Sequence, residues 1–262
     1  MIQKTFDMVA ESYDHPSLRF FHETAQRMLG YLAPEPNATC LDVATGTGMV
    51  ALEAAKHLPA GAGVGIDLSN GMLRQARAKA QAQQLHNVTF RQMDLDDMDF
   101  SKNQFDIVTC SFGLFFIDDM EGAMRRLAHT VKPGGQIAIS SFMETAFSPF
   151  APAFLSLYED FWKQVPPLSW KRLADVAVIE KVYRAAGITD LVLHHEPLGY
   201  ALQSERQWWD IVWNAGFRGL LNQLSDNELV AFKEQHLDMI RTLLRNGETW
   251  LDTSVTIAMG RK

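Results

Sequence analysis

The spacing of apolar residues divides the chain into helical and extended segments. In residues 1–33, apolar side chains recur at helical intervals, as at Phe21 and Met28, and Pro16 interrupts the pattern. We therefore predict two helices here, followed by a proline-rich linker at residues 33–37.

Between residues 39 and 142, short apolar runs alternate with helical patterns. Five runs are rich in strand-forming residues, at 39–44, 63–68, 88–93, 105–110 and 137–142. The main helical patterns among them lie at 50–57, 71–84 and 121–131. Strands and helices that alternate at this pitch form right-handed βαβ units, so we predict a parallel, doubly wound sheet.

The pattern changes after residue 143. Residues 144–171 are rich in Phe, Pro and Trp and break the alternation. Further elements are predicted: a helix over 173–186, two or three helices within 204–244, and strands over 188–202 and 250–259. The first of these helices ends before Gly187, and Ser225 to Glu228 has the capping-box pattern of a helix start. The simplest picture is one α/β domain with helical insertions.

Composition narrows the classes of function. The chain has 262 residues, of which 47% are hydrophobic, and 31 acidic against 24 basic residues give a net charge of −7. A nucleic-acid-binding domain normally carries a basic excess, so we expect no nucleic-acid partner. Cys40 and Cys110 lie in apolar strand-like runs, which predicts buried thiols and no metal site. No apolar stretch approaches the roughly 20 residues of a transmembrane helix, and we expect a cytoplasmic protein.

A glycine turn follows the first predicted strand. Gly46 and Gly48 stand between that strand and a helix, where a ligand can approach the backbone N–H groups of the helix N-terminus. A tight turn without a ligand would have the same sequence. Asp67 ends the second strand, where a carboxylate can accept both hydroxyls of a ribose. At this position of an α/β sheet, we favour the ribose role.

Two classes of cofactor fit this turn. The run from Gly46 to Ala51 satisfies the dinucleotide pattern G-x-G-x-x-A, which is typical of NAD(P)-dependent oxidoreductases. Asp42 inside the first strand and Asp94 after the third argue against a dinucleotide, because acids near a pyrophosphate repel it. A cofactor that carries a sulfonium, an ammonium and an adenine amine suits these acids better.

Six stretches of the chain resemble the class I S-adenosylmethionine-dependent methyltransferases. They are VAESYD, LDVATGTG, GIDLSNGML, VTFRQMDLDDMDF, FDIVTCSFGL and VKPGGQIAI, in the family's order. The nearest branch is that of the ubiquinone/menaquinone biosynthesis methyltransferases and related small-molecule enzymes. The resemblance implies a Rossmann-like methyltransferase fold, with a seven-stranded mixed sheet whose last strand is antiparallel, and S-adenosylmethionine as cofactor.

The same resemblance implies a contact for each part of the cofactor. Asp42 would help hold the ammonium, Asp67 the ribose hydroxyls and Asp94 the adenine amine. The backbone that would wrap the methionine part belongs to Ala44, Thr45, Gly46 and Gly48. The other expected contacts are Leu68, Met72, Met93 and Leu95 around the adenine, Ser111 and Phe112 near the methionine part, and Tyr13 over the sulfonium. Many family members have glycine in place of Ala44.

The expected acceptor site is apolar. Phe115 and Phe116 stand where more polar residues are common in the family, near the transferred methyl group. All six tryptophans lie after residue 160, and Trp209 and Trp213 share one face of a predicted helix. They would line a cap over the carboxyl ends of the strands, where ligands bind in such sheets, although a buried seam has the same pattern.

The sequence therefore predicts methyl transfer to a small, apolar or aromatic molecule by in-line displacement, with release of S-adenosylhomocysteine. An NAD(P)-dependent oxidoreductase, a non-catalytic cofactor-binding regulatory protein and a homodimer stay open. No catalytic base is assigned, since His194 and His195 are strand neighbours that face opposite sides. The domain is expected to divide into an N-terminal helical lid (1–33), a cofactor-binding core (37–144), helical cap insertions (145–171 and 203–248) and the remainder of the sheet (172–202 and 249–262).

Overall fold

The computed structural model describes residues 2–162 and 164–262, without the side chain of Trp162. Nine strands form in this part of the chain: β1 Thr39–Val43, β2 Ala62–Asp67, β3 Val88–Gln92, β4 Phe105–Ser111, β5 Val131–Phe142, β6 Val192–Glu196, β7 Gly199–Ala201, β8 Trp250–Asp252 and β9 Val255–Arg261. Seven of them make one sheet in the order β3-β2-β1-β4-β5-β9-β6, and β7 pairs with β8.

Ten α-helices form in the same described residues. They are α1 Ile2–Val9, α2 Arg19–Leu32, α3 Met49–His57, α4 Asn70–Ala82, α5 Met120–Thr130, α6 Phe150–Trp162, α7 Val176–Ala185, α8 Glu205–Asn214, α9 Arg218–Leu221 and α10 Asp226–Arg245. A short 3₁₀ helix at Pro16–Leu18 separates α1 from α2, which confirms the predicted break. The predicted capping box at Ser225 and Glu228 is present at the start of α10.

The large sheet confirms the predicted doubly wound, mixed architecture. Strands β1 to β5 are parallel to their neighbours, and β9 lies antiparallel between β5 and β6, with Ala258 beside both Ile139 and Leu193. Because β1 pairs with both β2 and β4, the strand order reverses there. The carboxyl ends of these parallel strands meet at one edge, where open α/β sheets bind ligands.

Two predicted strands are each broken into two. The segment predicted as one strand over 188–202 divides into β6 and β7 at Pro197, which has no N–H to donate and cannot continue a paired strand. The final strand divides at Thr253 and Ser254, and the Thr253 N–H donates to Leu198 O at 2.9 Å. The two short pieces therefore pair with each other instead of extending the main sheet.

The interior is continuous from the sheet into the helical cap. Cys40 and Cys110 are buried and free, as predicted. In the cap, α6, α8 and α10 enclose a set of rings that includes Phe154, Trp208 and His236. No helix among the described residues is long and apolar enough to cross a membrane.

Candidate functional site

A cavity of about 160 Å³ lies at the carboxyl ends of β1, β2 and β4. Its walls come mainly from α1 with the turn that follows it, from Phe21 in α2, and from the segments after β1, β2, β3 and β4. The cavity is therefore at the point where the strand order reverses. Most of the residues that the sequence predicted for the cofactor and acceptor sites line this cavity.

The loop after β1 has an unusual backbone. Ala44, Gly46 and Gly48 have positive φ angles of 55°, 55° and 83°. A Cβ added to Gly46 would meet no atom within 4 Å, which leaves open space above this part of the loop. A ligand can thus approach the Gly46 backbone closely.

Gly48 does not line the cavity, although its backbone was expected to contact the methionine part of the cofactor. It is buried and absent from the cavity lining, and a Cβ there would lie 3.0 Å from the Ala76 side chain and 3.1 Å from the ring of Phe90. Gly48 thus lets the start of α3 pack against α4 and β3. Its effect on a ligand would pass through the shape of the loop.

Ala44 is accommodated by a glycine in the neighbouring loop. A Cβ at Gly113 would lie 2.6 Å from the Ala44 Cβ and 2.9 Å from the Cys110 Sγ. The small residue at 113 therefore leaves room for the methyl group of Ala44. This packing explains how the fold accommodates an alanine at position 44, where the family commonly has a glycine.

Asp42 is a buried acid beneath the loop, with 2% of its surface exposed. Its two carboxylate oxygens accept hydrogen bonds from Thr45 Oγ1 at 2.5 Å and Thr109 Oγ1 at 2.7 Å. Burial raises the Asp42 pKa to about 6, although the two hydroxyl donors oppose that shift. A cationic group in the cavity would favour the ionised form.

Asp67 joins the loop after β1 to the loop after β2. Its Oδ2 accepts from the Gly46 N–H at 2.8 Å, and its Oδ1 accepts from the Ser69 N–H at 2.8 Å. Burial also raises the pKa of this carboxyl, against the effect of those two backbone donors. Each oxygen keeps a second acceptor position, so Asp67 can still take a pair of hydroxyls from a ligand.

The wall beyond Asp67 combines one acid with apolar side chains. Asp94 caps the 3₁₀ helix Leu95–Asp97 through an Oδ1 bond from the Asp96 N–H at 2.9 Å. Its carboxylate lies in the cavity lining with four apolar residues, Leu68, Met72, Met93 and Leu95. All five expected adenine contacts are thus brought together.

Five aromatic rings line the cavity and are called here its aromatic end. Tyr13 stacks on Phe21 with ring centroids 5.2 Å apart, and Phe21 meets the edge of Phe112 at 5.0 Å. Phe6 and Phe116 meet edge to face at 5.5 Å. These five rings all line the cavity.

Two polar groups stand at the aromatic end. Ser111 Oγ is 2.7 Å from Ser140 Oγ and belongs to the lining. Burial raises the pKa of the Tyr13 hydroxyl, and the nearby charges of Asp67 and Asp14 raise it further. Tyr13 therefore stays protonated at neutral pH and can donate a hydrogen bond.

Three of the four residues expected at the acceptor lie outside the cavity lining. Phe115 is buried behind Phe116 and packs against it at 4.7 Å. Trp209 and Trp213 stack on each other in the cap at 6.1 Å, with Arg218 over Trp213. Helical spacing correctly placed the two tryptophans together, but the face that they share packs within the cap.

The N-terminal segment contributes residues that the sequence reasoning missed. Asp14 accepts from Thr47 Oγ1 and pairs with Lys79, and Asp7 accepts from Ser69 Oγ and the Gly71 N–H. Asp14 belongs to the stretch VAESYD, which was the available signal. Neither its partner in the loop after β1 nor its partner in α4 can be read from spacing along the chain.

The acids that line the cavity, called here its acidic end, are not balanced by a basic side chain among the described residues. Asp42, Asp67 and Asp94 line it, whereas none of the described lysines, arginines or histidines does. Within the described residues, no group of three or more His, Cys, Asp or Glu could hold a metal ion. The arrangement suits a ligand with cationic, hydroxyl and amine groups near an apolar partner.

Comparisons with known proteins agree with this geometry. A family model described as a methyltransferase domain matches residues 40–135. Aklanonic acid methyltransferase DauC from Streptomyces sp. (strain C5) is 30% identical over 203 residues, 76% of this chain and 91% of that protein. The ubiquinone/menaquinone biosynthesis C-methyltransferase UbiE from Bdellovibrio bacteriovorus is 30% identical over 171 residues, 64% of this chain and 71% of that protein. The crystal structure of YcgJ from Bacillus subtilis shares the fold, with a TM-score of 0.64, 19% identity and coverage of 92% of this chain and 98% of that one.

Proposed function

Because the chain belongs to the class I S-adenosylmethionine-dependent methyltransferases, we propose that it transfers a methyl group from S-adenosylmethionine to a small apolar or aromatic acceptor. The observation that carries this proposal is that one cavity is lined both by the three acids of the acidic end and by the five rings of the aromatic end. The names of the relatives, an aklanonic acid methyltransferase and a ubiquinone/menaquinone biosynthesis C-methyltransferase, support an acceptor of small size.

The residues at the acidic end fit the cofactor. Asp67 would accept the ribose hydroxyls, and Asp42, through its charge, would favour the ammonium of the methionine part. Asp94 would accept the adenine amine. The open space above Gly46 leaves room for the methionine part, next to Ala44 and Thr45. The cofactor supplies an electrophilic methyl group when bound.

The aromatic end would hold the acceptor. Phe116, Phe112 and Phe21 offer flat apolar surface, and the Tyr13 hydroxyl and Ser111 offer hydrogen bonds to a polar group of the acceptor or of the cofactor. In-line methyl transfer needs the nucleophile aligned with the methyl carbon and water excluded. Phe115 supports Phe116 from behind, and Trp209 and Trp213 stabilise the cap.

Among the described lining residues, those near the aromatic rings include no side chain suited to act as a general base. Tyr13 and Cys110 stay protonated at neutral pH, since burial raises the pKa of both, that of Cys110 to about 12. Asp42 has both oxygens engaged by threonine hydroxyls. The acceptor therefore supplies its own ionised or electron-rich atom. With the cofactor saturating, the pKa of the acceptor should therefore set the pH dependence of kcat/KM for the acceptor.

Thermal unfolding with candidate cofactors tests the proposal. S-adenosylmethionine and S-adenosylhomocysteine at about 100 times their dissociation constants should each add roughly 2.7 kcal/mol of stability, whereas NAD and NADP should add none. Asp67→Ala should remove most of this gain, and Asp99→Ala, at an exposed acid outside the cavity, should leave it intact. Stabilisation by NAD or NADP alone would overturn the proposal.

A screen of apolar and aromatic acceptors, read by release of S-adenosylhomocysteine, then tests the acceptor class. Turnover of graded phenols or enols should rise with their ionisation. Activity confined to strongly cationic or highly polar acceptors would contradict the aromatic assignment.

A further inference from the structure

The N-terminal segment, residues 2–15, forms one wall of the cavity. Ile2, Gln3, Phe6 and Tyr13 all belong to the lining. Apolar contacts attach part of the segment, since Val9 and Ala10 pack on Met72 and the rings of Phe6 and Tyr13 pack on Phe116 and Phe21. The acidic side chains of the segment add polar contacts to the loop after β1 and to α4.

The first polar contact joins Asp7 to the start of α4. Asp7 Oδ1 accepts from Ser69 Oγ at 2.6 Å and from the Gly71 N–H at 2.9 Å. Ser69 is the N-cap of α4 and follows the ribose-binding candidate Asp67 closely in sequence. The carboxylate therefore meets the partial positive charge of a helix N-terminus and free backbone donors. Nearby, Gln3 Nε2 donates to Leu68 O at 3.0 Å.

The second contact is a closed set of three side chains. Asp14 Oδ1 accepts from Thr47 Oγ1 at 2.6 Å, and Asp14 Oδ2 lies 2.6 Å from Lys79 Nζ. Lys79 Nζ also donates to Thr47 Oγ1 at 3.1 Å. Thr47 belongs to the loop after β1 and Lys79 to α4. Asp14 therefore fastens the segment to both of these elements at once.

We infer that Asp7 and Asp14 are positioning residues that hold the N-terminal segment closed over the cavity, so that Phe6 and Tyr13 complete its aromatic end. The inference rests on the proposed function for its consequence in catalysis. The same loops carry Gly46 and Asp67, so a ligand that orders those loops also favours the closed segment. Exchange of the cofactor then requires these contacts to break.

The exposure of the contacts suits a closure that opens in every cycle. The side chains of Lys79 and Asp14 are 29% and 38% exposed, so water competes for the ion pair and keeps it weak. A hydrogen-bonded pair in such surroundings changes a two-state equilibrium by roughly fivefold to tenfold. Loss of one contact should therefore open the segment more often without unfolding the domain.

Amide hydrogen exchange in the ligand-free protein tests the closure directly. Asp7→Asn and Asp14→Asn should each speed exchange in residues 2–15 by about fivefold to tenfold, with the sheet amides unchanged. Glu11→Gln is the matched control, since this exposed acid in the same segment has no polar partner within the described residues. Exchange that is equal in all three variants and the wild type would overturn the inference.

Binding kinetics with S-adenosylhomocysteine separate a positioning role from a merely structural one. Asp14→Asn should raise the association and dissociation rate constants together, with dissociation about tenfold faster, at an unchanged melting temperature. Lys79→Met should have the same effect, and combining it with Asp14→Asn should add little, because both remove one contact. Additive effects would contradict a shared contact.

The two readouts keep the two proposals distinct. If wild-type protein fails to bind S-adenosylhomocysteine but the exchange rates change as expected, the closure stands and the proposed function falls. If binding is normal and exchange is unaffected by the substitutions, the function stands and the closure is refuted.

Discussion

Replacing Asp42 with asparagine should strengthen the folded protein while weakening its cofactor site. Asp42 is 2% exposed, and burial raises its pKa from an ordinary value of 3.8 to about 6. A carboxyl whose pKa is higher in the folded state contributes stability below the unfolded pKa and loses it as the pH rises through the folded pKa. At neutral pH the ionised, buried Asp42 therefore opposes folding.

The size of this effect follows from the two pKa values. One pKa unit corresponds to about 1.4 kcal/mol, so the rise from 3.8 to about 6 corresponds to roughly 3 kcal/mol above pH 6. Asparagine has nearly the same shape and keeps one oxygen to accept from Thr45 or Thr109. Asp42→Asn should thus gain about 1–3 kcal/mol at pH 7.5. In a domain of this size each kcal/mol is roughly 2–4 °C in melting temperature.

Calorimetric unfolding at pH 7.5 and pH 5 measures the gain in stability of Asp42→Asn. Titration with S-adenosylhomocysteine measures its loss of affinity. The gain should shrink at pH 5, where wild-type Asp42 is already mostly protonated. With a pKa of about 6, the ionised fraction of Asp42 falls about tenfold from pH 7 to pH 5. The affinity of the wild type for S-adenosylhomocysteine should fall by the same factor, and the affinity of the variant should not depend on pH in this way.

Asp106→Asn is the matched control, because the pKa of this carboxyl is shifted in the opposite direction. Partial burial raises the Asp106 pKa, but the hydrogen bonds and charge of Lys132 and the hydrogen bonds from Thr39 outweigh burial and lower it. Asp106→Asn should destabilise the protein. A variant Asp42→Asn that melts below the wild type at pH 7.5, or that binds S-adenosylhomocysteine equally well, would refute the reasoning.

Three further predictions concern other parts of the molecule. Asp94→Ala should abolish the preference for S-adenosylhomocysteine over S-inosylhomocysteine, which lacks the adenine amine; a preserved preference by calorimetry would contradict the role of Asp94. Phe116→Ala should raise the acceptor KM about tenfold with little change in melting temperature, whereas the core substitution Phe115→Ala should cost about 3–5 kcal/mol in urea unfolding. Burial lowers the His236 pKa to about 3. The free energy of unfolding in urea should therefore fall by roughly 5 kcal/mol as the pH drops from 6.5 toward 3, and His236→Gln should reduce this dependence on pH.

Much of the fold could be predicted from sequence because its signals are local. The β-rich runs and helical patterns up to residue 142 appear as β1 to β5 and their helices, although β5 begins at Val131, six residues before the predicted start. The break at Pro197 was missed, although proline is a local signal because it cannot donate to a neighbouring strand. The consequence of the break has no local signal, because the separate pairing of β7 with β8 depends on segments some fifty residues apart.

The acidic half of the site was predictable for the same reason. A glycine turn after a strand and an acid at the end of the next strand are short patterns, and parallel strands bring their carboxyl ends together. The position of Gly48 behind the loop was not visible, because its close neighbours Ala76 and Phe90 lie far along the chain.

The sequence by itself therefore determined the parallel sheet, the loops at its carboxyl edge and the acids that line the cavity. Only the tertiary structure decided which aromatic residues form the wall, that Trp209 and Trp213 lie in the cap, and that Asp14 meets both Thr47 and Lys79. The physical reason is the range of the interactions. Backbone conformation and hydrophobic periodicity act between near neighbours, whereas packing and charge pairing depend on which surfaces the finished fold brings into contact.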